Sequence, residues 1–137
     1  MFLFKEGIKF RLPNVGGLQE WIRYVVKKEG RQLGTLTYIY CNDNYLREVN
    51  VKYLSINGIT DVIAFGYDET SHISGDIFIS IDRVRENAAY YKVSFHHELK
   101  RVMVHGLLHL LGYRDKKERN KLEMTEREDL YLSLYPL

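Results

Sequence analysis

The hydrophobic and polar positions of this chain show two periodicities, one typical of strands and one typical of helices. Four segments alternate with a period of two or are rich in β-branched and aromatic residues, and both features indicate strands. Only a short polar loop separates the last two segments, which predicts that they pair as an antiparallel hairpin. The four predicted strands cover residues 2–10, 33–41, 60–67 and 75–81.

Apolar residues spaced three and four positions apart predict helices between and after these strands. In the last helix, Leu122, Leu130 and Leu134 are the residues expected to pack against the rest of the protein. Polar side chains that cap helix N-termini precede three of the helices; they are Asn42 or Asp43, Asp82 and Ser94. The five predicted helices cover residues 18–30, a short segment after 42 or 43, and residues 82–91, 94–111 and 116–135.

Four strands and about five helices in this order predict an α+β fold with a mixed sheet. The fourth helix is expected to lie across that sheet. The 137 residues are enough for one domain with a substantial core. No repeat, low-complexity tract or linker interrupts the chain, so we expect a single domain over residues 1–137.

The fourth predicted helix contains two histidines, His105 and His109, within an apolar run. A spacing of four residues separates them by about 40° on a helix, so both rings leave the same face. Gly112 can end the helix, and a chain that turns back there brings Asp115 towards the two rings. Two imidazoles and one carboxylate leave one position of a tetrahedral zinc open for water. The sequence therefore predicts a catalytic zinc site with one ion per chain.

A single histidine on an apolar helix is more often a core residue bonded to a backbone carbonyl. The second histidine changes this interpretation, because two buried imidazoles need partners that leucine and valine cannot supply. Glu118 and Asp76 are alternative carboxylates for the place given to Asp115.

Composition excludes some classes of protein but does not identify the function. A net charge of +2 permits contact with nucleic acid but does not predict it. Cys41 is the single cysteine, which excludes an intrachain disulfide and a thiolate cluster, and a reducing, cytoplasmic setting is expected. The N-terminus lacks the features of a signal peptide, and no run reaches the ~20 apolar residues of a membrane span, so no membrane partner is expected.

Basic residues surround the histidine motif in sequence, in the segments 83–101 and 114–121. Most of them are expected to lie on solvated helix faces. Arg114, next to the carboxylate ligand, is the best candidate for contact with a substrate. The remaining histidines are expected to play no part in the site: His96 and His97 at the start of the helix, and His72 in a loop.

Three segments together resemble the YbeY family of endoribonucleases. They are TDVIAF at 60–65, GDIFIS at 75–80 and HGLLHLLGY at 105–113, and Met124 followed by Glu128 also fits the family's last helix. The resemblance implies a zinc-dependent, single-strand-specific endoribonuclease that acts on ribosomal RNA. Its implied partner is the small ribosomal subunit, in maturation and quality control.

Two positions depart from the family pattern. The family usually has a third histidine where this chain has Asp115, and a carboxylate oxygen is also an acceptable zinc ligand. The family usually has an arginine where this chain has Leu54, so that segment loses a natural phosphate ligand. Lys52 replaces that arginine only in part.

Two alternative functions share the same residues. The spacing HxxxHxxGxxD matches that of metzincin metalloproteases, whose zincin-like centre also lies on a central helix. Their general base is the glutamate after the first histidine, and here that residue is Gly106. The other alternative is a ribosome-assembly factor without catalytic activity, in which zinc has four protein ligands and is structural.

Overall fold

The computed structural model describes residues 2–4, 8–54, 60–67 and 71–135, the first three by their backbone alone. Five helices surround a mixed sheet, which confirms the predicted α+β class. In this part of the chain, no helix is long and apolar enough to cross a membrane. The elements in order are β1 (Phe2–Phe4), α1 (Val15–Lys28), β2 (Gln32–Cys41), α2 (Asp43–Leu54), β3 (Val62–Gly66), β4 (His72–Ser80), α3 (Ile81–Tyr91), α4 (Phe95–Leu110) and α5 (Glu118–Ser133).

The sheet has the strand order β1-β2-β4-β3. Its body is formed by the three longer strands, β2, β4 and β3, and the three-residue β1 extends it beside β2. Strand β2 runs parallel to both β1 and β4, whereas β3 pairs antiparallel with β4, as the sequence predicts. The antiparallel strand β3 therefore forms one edge of the sheet.

Alternation along the strands divides the core between the two faces of the sheet. On one face, Ile77 and Ile79 of β4 belong to the large cluster that includes buried residues of α1 and α4. On the other face, Phe78 packs with a smaller cluster that includes Leu46 and Val49 of α2. Helix α4, with the histidine pair, thus lies on the larger and more deeply buried face.

Helix α4 lies close to the sheet at Gly106. A Cβ atom at this position would lie 2.7 Å from a methyl group of Ile77 and 3.1 Å from one of Val62. The position therefore faces the sheet and has no space for a larger side chain. One turn earlier, the buried hydroxyl of Tyr38 donates a 3.0 Å hydrogen bond to the carbonyl of Met103. These contacts fix the helix relative to strands β2, β3 and β4.

The predicted first strand is too long. Strand β1 ends at Phe4, and residues 5–7 lie outside the described part of the chain. Ile8 and Phe10 are in irregular chain, where they pack against the core instead of continuing the strand. The ring of Phe10, for example, lies 5.3 Å from that of Tyr40. The apolar character of Ile8 and Phe10 thus reflects burial against the core and not strand pairing.

The predicted cap of the third helix is also wrong. Ser80, not Asp82, caps α3, because its hydroxyl accepts a hydrogen bond from the backbone N–H of Arg83. The carboxylate of Asp82 accepts instead from the backbone N–H of Asp43, at 2.9 Å. By contrast, Ser94 caps α4 as predicted, with a 3.0 Å bond from the N–H of His97.

Helix α5 forms where the sequence predicts it but buries a different face. The three leucines expected to pack, Leu122, Leu130 and Leu134, are exposed. The buried positions are Met124, Glu128 and Tyr131, spaced four and three residues apart along one stripe. The prediction failed because this stripe contains a carboxylate in an otherwise apolar surface, so counting leucines selected the wrong side of the helix.

Candidate metal centre

The structure brings the three predicted ligands together at the C-terminal end of α4. The Nε2 atoms of His105 and His109 lie 3.0 Å apart, and Oδ2 of Asp115 lies 3.3 Å from each. Ligands bound tetrahedrally at 2.0–2.1 Å from zinc are about 3.3 Å from one another. In the described part of the chain, this is the one group of three or more such side chains that could hold a metal ion. The donor set and its spacing therefore fit zinc.

The end of the helix orients His109. Gly112 has a φ of 104°, a conformation that favours glycine, and the chain reverses there. The reversal places the carbonyl of Tyr113 3.2 Å from Nδ1 of His109. Because a carbonyl can only accept, Nδ1 carries the proton and Nε2 keeps the lone pair that a metal needs.

The loop that supplies this carbonyl is itself attached to α1. The hydroxyl of Tyr113 donates to Glu29 at 2.6 Å, and the hydroxyl of Tyr131 donates to the other oxygen of Glu29. Burial, this hydrogen bond and the charge of Glu29 raise the pKa of Tyr113 to about 12. The hydroxyl is therefore a neutral donor at ordinary pH, and it keeps the loop in place.

A carboxylate orients His105 from the other side of the ring. Oε2 of Glu128, on α5, lies 2.5 Å from Nδ1 of His105. Glu128 is only 5% exposed, although it is charged. The carboxylate accepts a hydrogen bond from Nδ1–H, so in the neutral ring the Nε2 atom that faces His109 and Asp115 again keeps its lone pair.

Arg101 joins Glu128 to a second buried carboxylate. Its Nε and Nη2 atoms donate to the two oxygens of Glu98, at 2.9 and 2.5 Å, in a two-pronged contact. Its Nη1 atom donates to Oε1 of Glu128 at 3.3 Å, and Asp61 lies 3.5 Å from Nη2. Despite burial, the bond to Glu98 and the surrounding negative charges raise the pKa of Arg101 further above its ordinary value. Arg101 is therefore held by carboxylates of the protein and is only partly exposed.

The charges around His105 favour its protonated form when no metal is bound. Burial lowers the pKa of His105, but the hydrogen bond to Glu128 and the charges of Glu128, Asp61 and Asp115 outweigh burial. The net result is a pKa above the ordinary value for histidine. A metal must displace this proton when it binds.

Arg114 lies where a substrate could reach the centre. A cavity of about 180 Å³ opens beside His109 and Asp115, and the exposed side chain of Arg114 lines it. A second cavity of about 330 Å³ is also lined by residues 112–114, with Asn120 and Glu123 on its wall. Of the basic residues considered from sequence, Arg114 thus adjoins both cavities, whereas Arg83 is paired with Asp43.

The other histidines do not join the centre. His96 and His97 are exposed at the start of α4, as expected. His72 lies at the beginning of β4, not in a loop, and its Nδ1 atom is 2.7 Å from the hydroxyl of Ser71. The alternative carboxylates, Glu118 and Asp76, are likewise outside the group of possible ligands among the described residues.

Sequence reasoning missed the roles of the residues that support the predicted ligands. Glu98, Arg101 and His105 occupy one face of α4 at spacings of three and four, and Glu128 interrupts the buried stripe of α5. A charged residue within the apolar face of a helix was the available signal, because such a group must be paired when it is buried. Their mutual contact could not be read from sequence, since it depends on how α4 and α5 pack.

Comparison with known proteins agrees with this architecture. The sequence profile of the family described as Endoribonuclease YbeY matches residues 11–135. The Endoribonuclease YbeY of Flavobacterium psychrophilum is 45% identical over 135 residues, covering 98% of this chain and 96% of that protein. That of Karelsulcia muelleri is 48% identical, covering 90% and 88%. The solution structure of a Thermotoga maritima protein has a TM-score of 0.64 at 27% identity, covering 97% of this chain and 87% of that one. The chain therefore belongs to the endoribonuclease YbeY family.

Proposed function

We propose that this protein is a zinc-dependent endoribonuclease that cuts single-stranded regions of ribosomal RNA. The observation that carries the proposal is the convergence of three ligand atoms, 3.0–3.3 Å apart, beside a cavity lined by an exposed arginine. The one domain expected over residues 1–137 carries the whole activity. We place its work in the cytoplasm, on RNA of the small ribosomal subunit during maturation and quality control.

His105, His109 and Asp115 would hold the ion. When bound there, zinc supplies a Lewis acid that activates water and polarises a phosphoryl oxygen. Asp115 replaces a family histidine, so the bound site has a net charge one unit less positive than a three-histidine site. Both histidines already direct Nε2 towards the third ligand, so little reorganisation is needed to bind the metal.

Arg114 and Lys116 would hold the phosphates on either side of the cut. Both are exposed and line the cavity beside His109 and Asp115. Leu54, which stands where the family usually has an arginine, is exposed at the end of α2 and offers no charge. Lys52 is the basic residue nearest to it in the last turn of that helix, with its amine 5.3 Å from the centre of the Tyr53 ring. Phosphate binding thus depends more on the loop after α4 than on α2.

Gly106 argues against the metalloprotease alternative. It stands where a metzincin has its general base, and a side chain there would collide with Ile77 and Val62. The structural-zinc alternative requires a fourth protein ligand. Glu128 is a further carboxylate in contact with one of the three residues, but it contacts Nδ1 of His105 and not the shared side of the centre. A site open to water and substrate is therefore the better-supported arrangement.

The proposal is tested by zinc content and cleavage in the variants His105→Ala and His109→Ala. His97→Ala is the matched control, because His97 is an exposed histidine on the same helix. Wild type and control should contain about one zinc per chain and cut a single-stranded RNA, with cleavage stopped by a chelator. Both site variants should lose the zinc and the cleavage. None of the proteins should hydrolyse casein.

Three results would contradict parts of the proposal. Full zinc content in a His105→Ala/His109→Ala double variant would remove the metal assignment. Chelator-sensitive casein hydrolysis that His105→Ala abolishes would favour the protease. Zinc-loaded protein that cuts no RNA but binds small ribosomal subunits would favour the assembly factor.

A further inference from the structure

The carboxylate of Glu128 contacts two side chains, one at each oxygen. Its Oε2 atom lies 2.5 Å from Nδ1 of His105, and its Oε1 atom accepts from Nη1 of Arg101 at 3.3 Å. The residue is 5% exposed, so water is largely excluded as an alternative partner. One side chain on α5 thus joins the metal-binding face of α4 to its buried charges.

Arg101 cannot change its role in this arrangement. A guanidinium has five donors and no acceptor. Two of its nitrogens are already held by the oxygens of Glu98, which is 1% exposed. The plane of the guanidinium is therefore fixed, and it directs an N–H group of Nη1 at Oε1 of Glu128, which must accept.

We propose that Glu128 is a positioning residue that fixes the tautomer of His105, so that the proton stays on Nδ1 and Nε2 is free for the metal. This inference rests on the metal site of the proposed function. With one oxygen taken by Arg101, the second oxygen must still be able to accept from His105. A carboxylate has an acceptor on each side, and no neutral side chain of the same shape does.

Glutamine distinguishes this role from simple space filling. It has the size of glutamate, but its amide presents one acceptor and one donor. Arg101 will take the amide oxygen, since its positive charge disfavours the NH₂ group. The NH₂ group then faces Nδ1 of His105, which can accept only if the proton moves to Nε2. That is the atom the metal needs, so the substitution blocks the site without creating a cavity.

The experiment compares zinc affinity and ring tautomer in wild type, Glu128→Gln and Glu126→Gln. Glu126 is on the same helix but exposed, so its substitution removes the same charge without touching His105. Zinc affinity is measured by competition with a chromophoric chelator. The tautomer is read in metal-free protein from nitrogen chemical shifts of the imidazole, at alkaline pH where the ring is neutral. Circular dichroism verifies that each variant is folded.

We expect Glu128→Gln to bind zinc about 10- to 100-fold more weakly, with the proton of His105 on Nε2. Wild type and Glu126→Gln should both show Nδ1–H and equal affinity. Unchanged zinc affinity, or Nδ1–H retained in Glu128→Gln, would overturn the inference. If Glu128→Gln fails to fold, Glu128→Asp decides: with two acceptor oxygens it should keep Nδ1–H, and a switch to Nε2–H would refute the role.

The two proposals fail in distinguishable ways. If wild type binds no zinc, the proposed function fails. The tautomer measurement still decides the role of Glu128, because it is made without metal.

Discussion

His105 and His109 lie one turn apart on the same helix, yet the protein supports them in different ways. His105 is backed by Glu128, which is 23 residues further along the chain, in another helix and with a side chain 7% exposed. His109 is backed by the carbonyl of Tyr113, four residues further on, in the loop that ends its own helix. Asp115, the third ligand that we propose, belongs to this loop and its side chain is 37% exposed.

The two sides of the centre therefore differ in what they affect: one contributes to folding, the other to binding of metal and substrate. The His105 side consists of two buried carboxylates, Glu98 and Glu128, paired with the partly buried Arg101 and His105, so its loss affects folding. The His109 side consists of a short exposed loop, so its changes affect the metal and the substrate with little effect on the fold. We therefore expect substitutions on the two sides to alter different measurements.

The largest effect is expected for Arg101→Met on the buried side. The substitution keeps most of the side-chain volume but leaves the buried Glu98 without its cation and Glu128 with His105 as its remaining partner. Leaving a buried charge unpaired costs about 3 kcal/mol or more. The free energy of unfolding of the metal-free protein, measured with urea by the fluorescence of buried Trp21, should fall by about that amount.

Arg114→Met is the matched control, because it removes an arginine from the exposed side. It should change the stability by less than about 0.5 kcal/mol. It should nonetheless weaken binding to single-stranded RNA and lower the slope of log affinity against log salt by about 0.7. Equal stability of the two variants would mean that the two sides of the centre do not differ as described.

Features that depend on nearby residues could be predicted from the sequence, and contacts between distant residues could not. The order of helices and strands, the antiparallel pairing of β3 with β4 and the cap Ser94 follow from local patterns, and the structure agrees. The group of His105, His109 and Asp115 is also local, since a helix turn and one glycine bring the three together. The contacts of Glu98, Arg101 and Glu128 are not local. They depend on the packing of α5 on α4, and the exposed leucines of α5 pointed to the wrong face.

The next largest effect is expected for Asp115→Ala on the exposed side. Two protein ligands remain, so zinc should bind at least about tenfold more weakly, while the stability of the metal-free protein stays nearly unchanged. Asp115→His should retain the metal, because it restores the ligand that the family usually has. Competition with a chromophoric chelator measures both variants. Equal affinity of wild type and Asp115→Ala would remove Asp115 from the site and leave the third ligand unassigned.

The stabilisation of the protein by zinc should increase with pH. In the metal-free protein the pKa of His105 is raised, so its proton contributes stability that is complete below the unfolded pKa, near 6.5, and is lost as pH rises through the raised value. Zinc requires the ring without that proton. The stabilisation by zinc therefore increases as pH rises towards the raised pKa of His105. The gain should be about 1.4 kcal/mol per pH unit for each proton displaced.

The measurement is the difference in Tm with and without zinc across neutral pH. It should continue to widen above pH ~6.5, the value of an ordinary histidine. A difference that is already constant there would show that no raised pKa opposes metal binding.

The smallest effect is expected for Tyr113→Phe, which tests how local the support of His109 is. The substitution removes the 2.6 Å hydrogen bond to Glu29, but Glu29 keeps the bond from Tyr131, and the backbone carbonyl that accepts from His109 is unchanged. The stability should fall by about 1 kcal/mol, the usual value of one such bond. Zinc affinity should change by less than about threefold, or about 0.7 kcal/mol.

Tyr131→Phe is the control, because it removes a hydroxyl from the same carboxylate without altering the loop. If Tyr113→Phe weakens zinc tenfold and Tyr131→Phe does not, His109 relies on the anchoring of the loop to α1. Its support would then extend beyond the helix end, as the support of His105 does.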